Sequence, residues 1–298
     1  MNRRSWVELP DAVRHAVQKH CGRVLRTEVP EAGRNSAFAA FLYTTSGTVF
    51  CKGIPTGDRL FNAHRHEVHV NTHLRELTTN VSRLLWTVEA GGWLLAGYET
   101  VSGRHADFSP GSADIPQVVD ALSLLAQELT PSPVPEVAPF SRKYARLAGW
   151  QWLADNYADD LDPWEKHHLD QLIQNDADVP AALVGESLVH ADIHELNLLV
   201  DDGQVNIIDW AWSRTGPVWI DGALLVVRLV AAGHQPGDAE GIVSGTWGMQ
   251  HPTATDDAVT VFATTTYGQW RRFAIEFPSP HREAPLRGAQ LWARYRLR

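Results

Sequence analysis

Three short runs rich in aromatic and β-branched residues, at 24–28, 38–43 and 48–54, predict strands, with Ser46 and Gly47 as a turn between the last two. Val70, Leu74 and Leu77 then recur at helical spacing across 64–77. A further strand is expected over 92–100 (Trp93, Leu94, Leu95, Tyr98), closed by the breaker Ser102-Gly103. Beyond it helical periodicity takes over. Asp114 is placed to cap a helix reaching Leu129, with Val118, Val119, Leu122, Leu125 and Ala126 along it. Helical patterns follow at 142–157, 162–175, 220–233, 256–275 and 284–297, with a proline-rich loop over 130–139. One small β segment, 188–209, interrupts them. A β-rich front, a strand-like connector near residue 100 and a helical back predict an α+β chain with two lobes, 1–100 and 101–298.

Composition narrows the class. A length of 298 residues suits two packed lobes, and 44% hydrophobic with 20% charged residues is ordinary for a globular protein. No run approaches the ~20 apolar residues of a membrane span. No apolar stretch follows Arg3-Arg4, so no signal peptide is expected. Two cysteines, Cys21 and Cys51, are too few for a disulfide framework and fit a reducing cytoplasm. The net charge of -9 argues against a nucleic-acid surface. It is unevenly spread: residues 1–100 hold 12 Lys/Arg against 9 Asp/Glu, and the remainder hold 14 against 26. A front that tolerates anions and a back that favours cations is a hint about ligands.

The chemistry concentrates at 190–209. His190-Ala191-Asp192-Ile193-His194-Glu195-Leu196-Asn197 sets an Asp and an Asn five residues apart. Two apolar runs about Asp202-Gly203 follow, ending in Ile208-Asp209. That is a strong hairpin signal. A three-residue loop, Asp202 to Gln204, sets Asn197 directly opposite Asp209, ~5 Å apart on one face. A two-residue loop pairs Asn197 with Ile208 and turns Asp209 away, so the longer loop or a bulge is expected. An amide oxygen and a carboxylate at one hairpin mouth suit Mg²⁺, which keeps waters and takes phosphate oxygens. Asp192 would stand at the same mouth, placed to orient and deprotonate an attacking hydroxyl, as phosphoryl transfer requires.

This sequence resembles the aminoglycoside phosphotransferase family of small-molecule kinases. The carriers are His190/Asp192/Asn197, Ile208-Asp209-Trp210, and Gly216 with Asp221 five residues on. The resemblance implies a two-lobed protein-kinase-like fold. It makes Asp192 the catalytic base and Asn197 with Asp209 the Mg²⁺ ligands, and it gives His190 and Asp221 supporting roles. Ala191 stands where the family's loop usually has Gly, restricting the backbone there. The Asp-Phe-Gly and Ala-Pro-Glu elements of protein kinases are absent, which disfavours a protein substrate.

In the nucleotide lobe, Lys52 is the only lysine on a predicted strand. Glu67 shares a helical face with Val70 and Leu74, where a lone carboxylate is expensive. The kinase-like fold pairs such a lysine with such a glutamate; His66 and Glu76 are the worse-facing rivals. Asn35 and Ser36, between the first two strands, are the candidates to touch phosphate. By resemblance, the adenine edge meets the backbone near Glu99 and Val101. The expected activity is transfer of the ATP γ-phosphoryl group to a hydroxyl of a small polar molecule. Aminoglycosides and other antibiotics are candidates, as are a cell's own sugars, amino alcohols and biosynthetic intermediates. A silent nucleotide-binding module and a protein kinase are the alternatives. Three further features are set aside: His69 and His73 as a zinc pair, Trp210, Trp212 and Trp219 as walls of an acceptor pocket, and the acidic run from Asp155 to Asp170 as a binding site.

Overall fold

The computed structural model describes residues 3–30, 33, 35–74 and 81–298. Its strands are β1 (Val24–Glu28), β2 (Phe38–Thr44), β3 (Gly47–Pro55), β4 (Leu84–Ala90), β5 (Trp93–Glu99), β6 (Arg104–His105), β7 (Ser187–Val189), β8 (Leu198–Asp201), β9 (Gln204–Ile207) and β10 (Arg214–Gly216). Its longer helices are α1 (Asp11–Cys21), α2 (Phe61–Leu74), α3 (Asp114–Glu128), α4 (Phe140–Leu147), α5 (Trp150–Tyr157), α6 (Pro163–Ala182), α7 (Ile220–Ala231), α8 (Pro236–Val243), α9 (Asp256–Glu276) and α10 (Glu283–Arg296). The chain forms two compact units: Met1–Ala106 with Glu195–Ser213, and Asp107–His194 with Arg214–Arg298.

The first unit is built on an antiparallel sheet in the order β1-β2-β3-β5-β4. Side chains alternate between its faces. Val49 and Cys51 of β3, with Leu95 of β5, pack on one face in a core with Val13, Val17 and Cys21 of α1. Phe50 of β3 and Ala96 and Tyr98 of β5 pack on the other with Val68 of α2. Lys52, between Cys51 and Gly53, therefore faces α2. The sequence reading gives no element at α1 or β4. Val13, Val17 and Cys21 do carry helical spacing, and burying them against the sheet makes that weak signal a helix. Expected helix residues 75–77, and Glu76 with them, lie outside the described residues.

A second small sheet in this unit has the order β6-β8-β9. Its hairpin corrects the expected register. Leu198 pairs with Ile207 and Asp201 with Gln204, leaving a two-residue loop, Asp202-Gly203. Both loop residues have positive φ, 43° and 82°. That is the primed two-residue geometry whose twist matches the flanking strands, so it displaces the longer loop. Ile208 N donates to the Asn197 carbonyl at 3.0 Å, so Asn197 is opposite Ile208 and not Asp209.

The second unit is helical apart from the pair β7–β10. Trp150, Trp219, Phe262, Tyr267 and Trp292 are fully buried in it. The pattern expected as one helix over 142–157 is two, α4 and α5. Gly149 separates them where a Cβ would lie 2.4 Å from the Gly268 carbonyl oxygen. Helix α6 continues past the expected end to Ala182, and α8 is not anticipated by the sequence reading. Asp114 is the first residue of α3 and not its cap; its carboxylate accepts from Asp107 N at 2.8 Å.

Candidate active site

Lys52 sits at the centre of a buried charge cluster in the first unit. Its Nζ lies 2.8 Å from Glu67 Oε1 and 3.4 Å from Asp209 Oδ1. Glu67 is 2% exposed, turned inward by its position on the face shared with Val70 and Leu74. The Lys52 ammonium also stands 5.8 Å from the Tyr98 ring centre. Burial pulls the Lys52 pKa down, but the Asp209 and Glu67 carboxylates outweigh it and raise it above the ordinary value. Burial raises Glu67 as well, against the pull of Lys52. The 2.8 Å contact favours the charged pair; Asp209 adds to this at Lys52 and works against it at Glu67. His66 points elsewhere, its Nε2 2.9 Å from the Ser213 carbonyl.

Asn35 and Ser36 border the same cluster. His64 reaches them from α2, its Nε2 3.0 Å from the Asn35 carbonyl and 3.4 Å from Ser36 Oγ. With Lys52, Glu67, Asp209 and Trp212 they line a small recess. Glu99 ends β5: its N–H donates to Arg83 at 2.8 Å and its carbonyl accepts from Ser82 Oγ at 2.9 Å. Val101 follows, half-buried, in the connector.

Asp209 reaches Lys52 although the hairpin register alone would turn it away. Its backbone is left-handed, φ 68° and ψ 67°, at the start of the 3-10 turn Trp210–Trp212. Strand alternation stops there, and aspartate is among the few residues that adopt this geometry at low cost. Asn197 ends the short turn Glu195–Asn197 and is buried. Among the described residues no three His, Cys, Asp or Glu side chains are grouped to hold a metal. Asn197 carries an amide oxygen, and the Asp209 carboxylate is 31% exposed by side chain. Both are oxygen donors, the kind that Mg²⁺ takes and not the nitrogen and sulfur set of a structural zinc site.

In the second unit, the loop holding Asp192 is clasped from α7. One Asp221 oxygen accepts from His190 N at 2.7 Å and the other from Ala191 N at 2.8 Å. Arg228, two turns along α7, donates from Nε to the Ile193 carbonyl at 3.2 Å. Burial pushes the Asp192 carboxyl up. The neighbouring His194 and the charges of His190 and Arg228 outweigh it and hold the pKa below the ordinary carboxylate value. His194 Nε2 stands 3.7 Å from Asp192 Oδ2. Asp192 is thus kept ionised.

Ala191 has φ 63°. This left-handed position costs an alanine about 1–2 kcal/mol, which is what a glycine there would avoid. Ala191→Gly is therefore expected to raise the unfolding midpoint by ~2 °C, net of glycine's larger unfolded-state entropy, in a thermal melt. A lower midpoint would show that the loop is not strained.

The sequence reading misses His64, Tyr98, His194 and Arg228. Of these, His64 alone carried a signal, lying three residues before Glu67 on the same helical face. Two of the tryptophans considered as pocket walls are packing residues: Trp210 donates to the Ile207 carbonyl, and Trp219 donates to the Thr253 carbonyl against Phe262. The acidic run is partly tied down. Asp162 caps α6 and pairs with Arg294, and buried Glu165 accepts from Tyr267 and Arg271.

The sequence profile of the phosphotransferase enzyme (APH) family matches residues 28–250. The chain belongs to that family. No curated protein matches it in sequence. Among solved structures, this APH-family chain is similar to choline kinase LicA from Streptococcus pneumoniae, with a TM-score of 0.61 and 14% identity over 94% of this chain and 97% of that one. It is similar to a gentamicin complex of APH(2")-IIa, with a TM-score of 0.58 and 12% identity over 96% of each chain. A third likeness is a thermostable mutant of aminoglycoside phosphotransferase APH(4)-Ia in ternary complex with AMP-PNP and hygromycin B. Its TM-score is 0.57 at 13% identity, over 94% of this chain and 99% of that one. At such identities the likeness is one of fold, and the fold of this family member is α+β and protein-kinase-like.

Proposed function

We propose that this APH-family phosphotransferase transfers the γ-phosphoryl group of ATP to a hydroxyl of a small polar molecule. The observation that carries the reading is the buried lysine held between two carboxylates, Glu67 and Asp209. An ammonium so fixed is a ready partner for nucleotide phosphates, and Asp209 keeps enough exposure to take a cation. Lys52 orients the phosphates, with Glu67 setting its position. Asn35 and Ser36 offer polar contacts at the same recess, and the connector at Glu99 and Val101 receives the adenine edge. Asn197 and Asp209 would hold Mg²⁺, which when bound would neutralise charge on the phosphate oxygens.

Asp192 accepts the acceptor's hydroxyl proton. The hydroxyl oxygen forms the new bond to γ-phosphorus, the bond to the β–γ bridging oxygen breaks, and its electron pair leaves with ADP. Because the Asp192 pKa is low, it positions the hydroxyl and takes the proton late, which suits a loose transfer in which the nucleophile needs little activation. Asp221 and His190 hold the loop that carries it. The APH(4)-Ia complex containing AMP-PNP and hygromycin B supports ATP as donor and keeps antibiotics among the acceptors. Choline kinase keeps amino alcohols there too. Two buried free thiols and a need for ATP favour the cytoplasm. Among the described residues no helix is long and apolar enough to cross a membrane.

Transfer of labelled γ-phosphate to members of a hydroxyl-compound panel is the expected result. Asp209→Asn is expected to raise the KM for Mg·ATP at least ~10-fold, since a charged metal ligand is worth roughly 1.4 kcal/mol or more. An unchanged Mg²⁺ dependence in that variant would remove Asp209 from the metal site.

A further inference from the structure

We propose that His64 and His66 of α2 are positioning residues for the nucleotide: His64 sets the residues that meet its phosphates, and His66 the carboxylate that takes its metal. The proposal rests on the transfer reading above. It uses the first unit alone, to which α2 and every residue it grips here belong.

Three segments of the candidate site are hydrogen-bonded to one short stretch of α2. Glu67 Oε1 accepts from Lys52 Nζ of β3 at 2.8 Å. One turn earlier, His64 Nε2 lies 3.0 Å from the Asn35 carbonyl and 3.4 Å from Ser36 Oγ. Beside Glu67 in sequence, His66 Nε2 lies 2.9 Å from the Ser213 carbonyl and 3.0 Å from Ser213 Oγ. A carbonyl oxygen only accepts, so each Nε2 carries a proton and each imidazole donates. Ser213 in turn closes the 3-10 turn: its Oγ donates to the Trp210 carbonyl at 2.8 Å and its N–H to the same oxygen at 3.2 Å. His66 therefore holds the far end of the turn that begins at Asp209.

Each bond fixes more than the atoms it joins. The Asn35–Ser36 peptide is planar, so a held carbonyl also sets the direction of the Ser36 N–H. His64 is buried, which shields its bond from competing water. At the other segment, Asp209 meets Lys52 through a left-handed backbone, φ 68°. A turn closed by Ser213 and clasped by His66 removes the other conformations open to that residue. Neither bond needs a charged ring. Each needs an N–H at the reach of Nε2, which glutamine reproduces and asparagine, ending near the place of Nδ1, does not.

Isothermal titration with adenosine, with AMP-PNP in EDTA and with AMP-PNP in Mg²⁺ adds the base, the phosphates and the metal one at a time. His64→Asn is expected to weaken AMP-PNP ~5-fold with or without Mg²⁺, adenosine holding within about twofold; ~5-fold corresponds to ~1 kcal/mol, one net hydrogen bond. His66→Asn should weaken AMP-PNP by the same ~5-fold in Mg²⁺ only. His64→Gln and His66→Gln should bind every probe within about twofold of the wild-type protein. A folding defect would move adenosine as well. An equal loss for adenosine, an unmoved AMP-PNP affinity, one profile shared by both Asn variants, or Gln variants no better than Asn overturns the proposal and leaves the transfer reading intact. A wild-type protein that binds AMP-PNP with Mg²⁺ no more tightly than adenosine takes down both.

Discussion

Asp192→Ala is expected to lower the rate of phosphoryl transfer by ~10²–10⁴-fold, the range of a positioned general base, while the affinity for Mg·ATP stays within about threefold. The split follows from location: Asp192 belongs to the second unit, and Lys52, Glu67 and Asp209 to the first. Under the proposed transfer, removing it takes away the group that would orient the acceptor hydroxyl and receive its proton, and no phosphate contact. The pH profile is a second readout. The Asp192 carboxyl is held below its ordinary value by His194, His190 and Arg228. It is ionised at every pH above the ordinary carboxylate range, so the ratio of wild-type to variant rate is expected to be flat from pH 5 to pH 8. Single-turnover kinetics with saturating labelled ATP measures the rate, and isothermal titration the affinity. Wild-type turnover in the variant would exclude Asp192 as the base.

Lys52→Met is expected to destabilise the protein by ~3–5 kcal/mol near neutral pH and to abolish productive nucleotide binding. Lys52 is 12% exposed and Glu67 3% by side chain, so the substitution leaves a buried carboxylate next to a second one at Asp209. The loss depends on pH, with a definite sign. Burial already raises the Glu67 pKa in the folded state, and without Lys52 it rises further. A folded-state pKa above the unfolded one stabilises fully below the unfolded value and is lost as pH rises through the folded value. The deficit against wild type is therefore small near pH 4 and grows toward pH 7. Urea denaturation at several pH values measures it. A deficit independent of pH would mean that Glu67 is not left charged and buried.

Much of the candidate site is legible in the sequence because its members lie on elements with strong periodicity. Lys52 interrupts an apolar strand, and Glu67 falls on the buried face of α2. Each placement would be expensive alone, and the two together point to a pair. Asp192, Asn197 and Asp209 stand in the loop-and-hairpin spacing that carries the family resemblance. Helix α1 and strand β4 were harder to read, since α1 has only three buried residues and depends on the sheet it covers. His194 and Arg228 gave no local signal. Both act on Asp192 through a loop whose shape is set by Asp221, thirty residues away from Ala191 along the chain.

The sequence by itself determined the α+β class, with a β-rich front ahead of a helical back, and which side chains could serve phosphate, metal and proton transfer, because these follow from periodicity and residue chemistry. Tertiary structure alone decided how Asp209 is aimed. The primed Asp202-Gly203 turn sets a register that would carry Asp209 to the wrong face, and a left-handed residue at the end of the strand brings it back to Lys52. Period-two reasoning holds only while the backbone stays extended. A single positive φ cancels it, and whether that strain is tolerated depends on the contacts it makes possible.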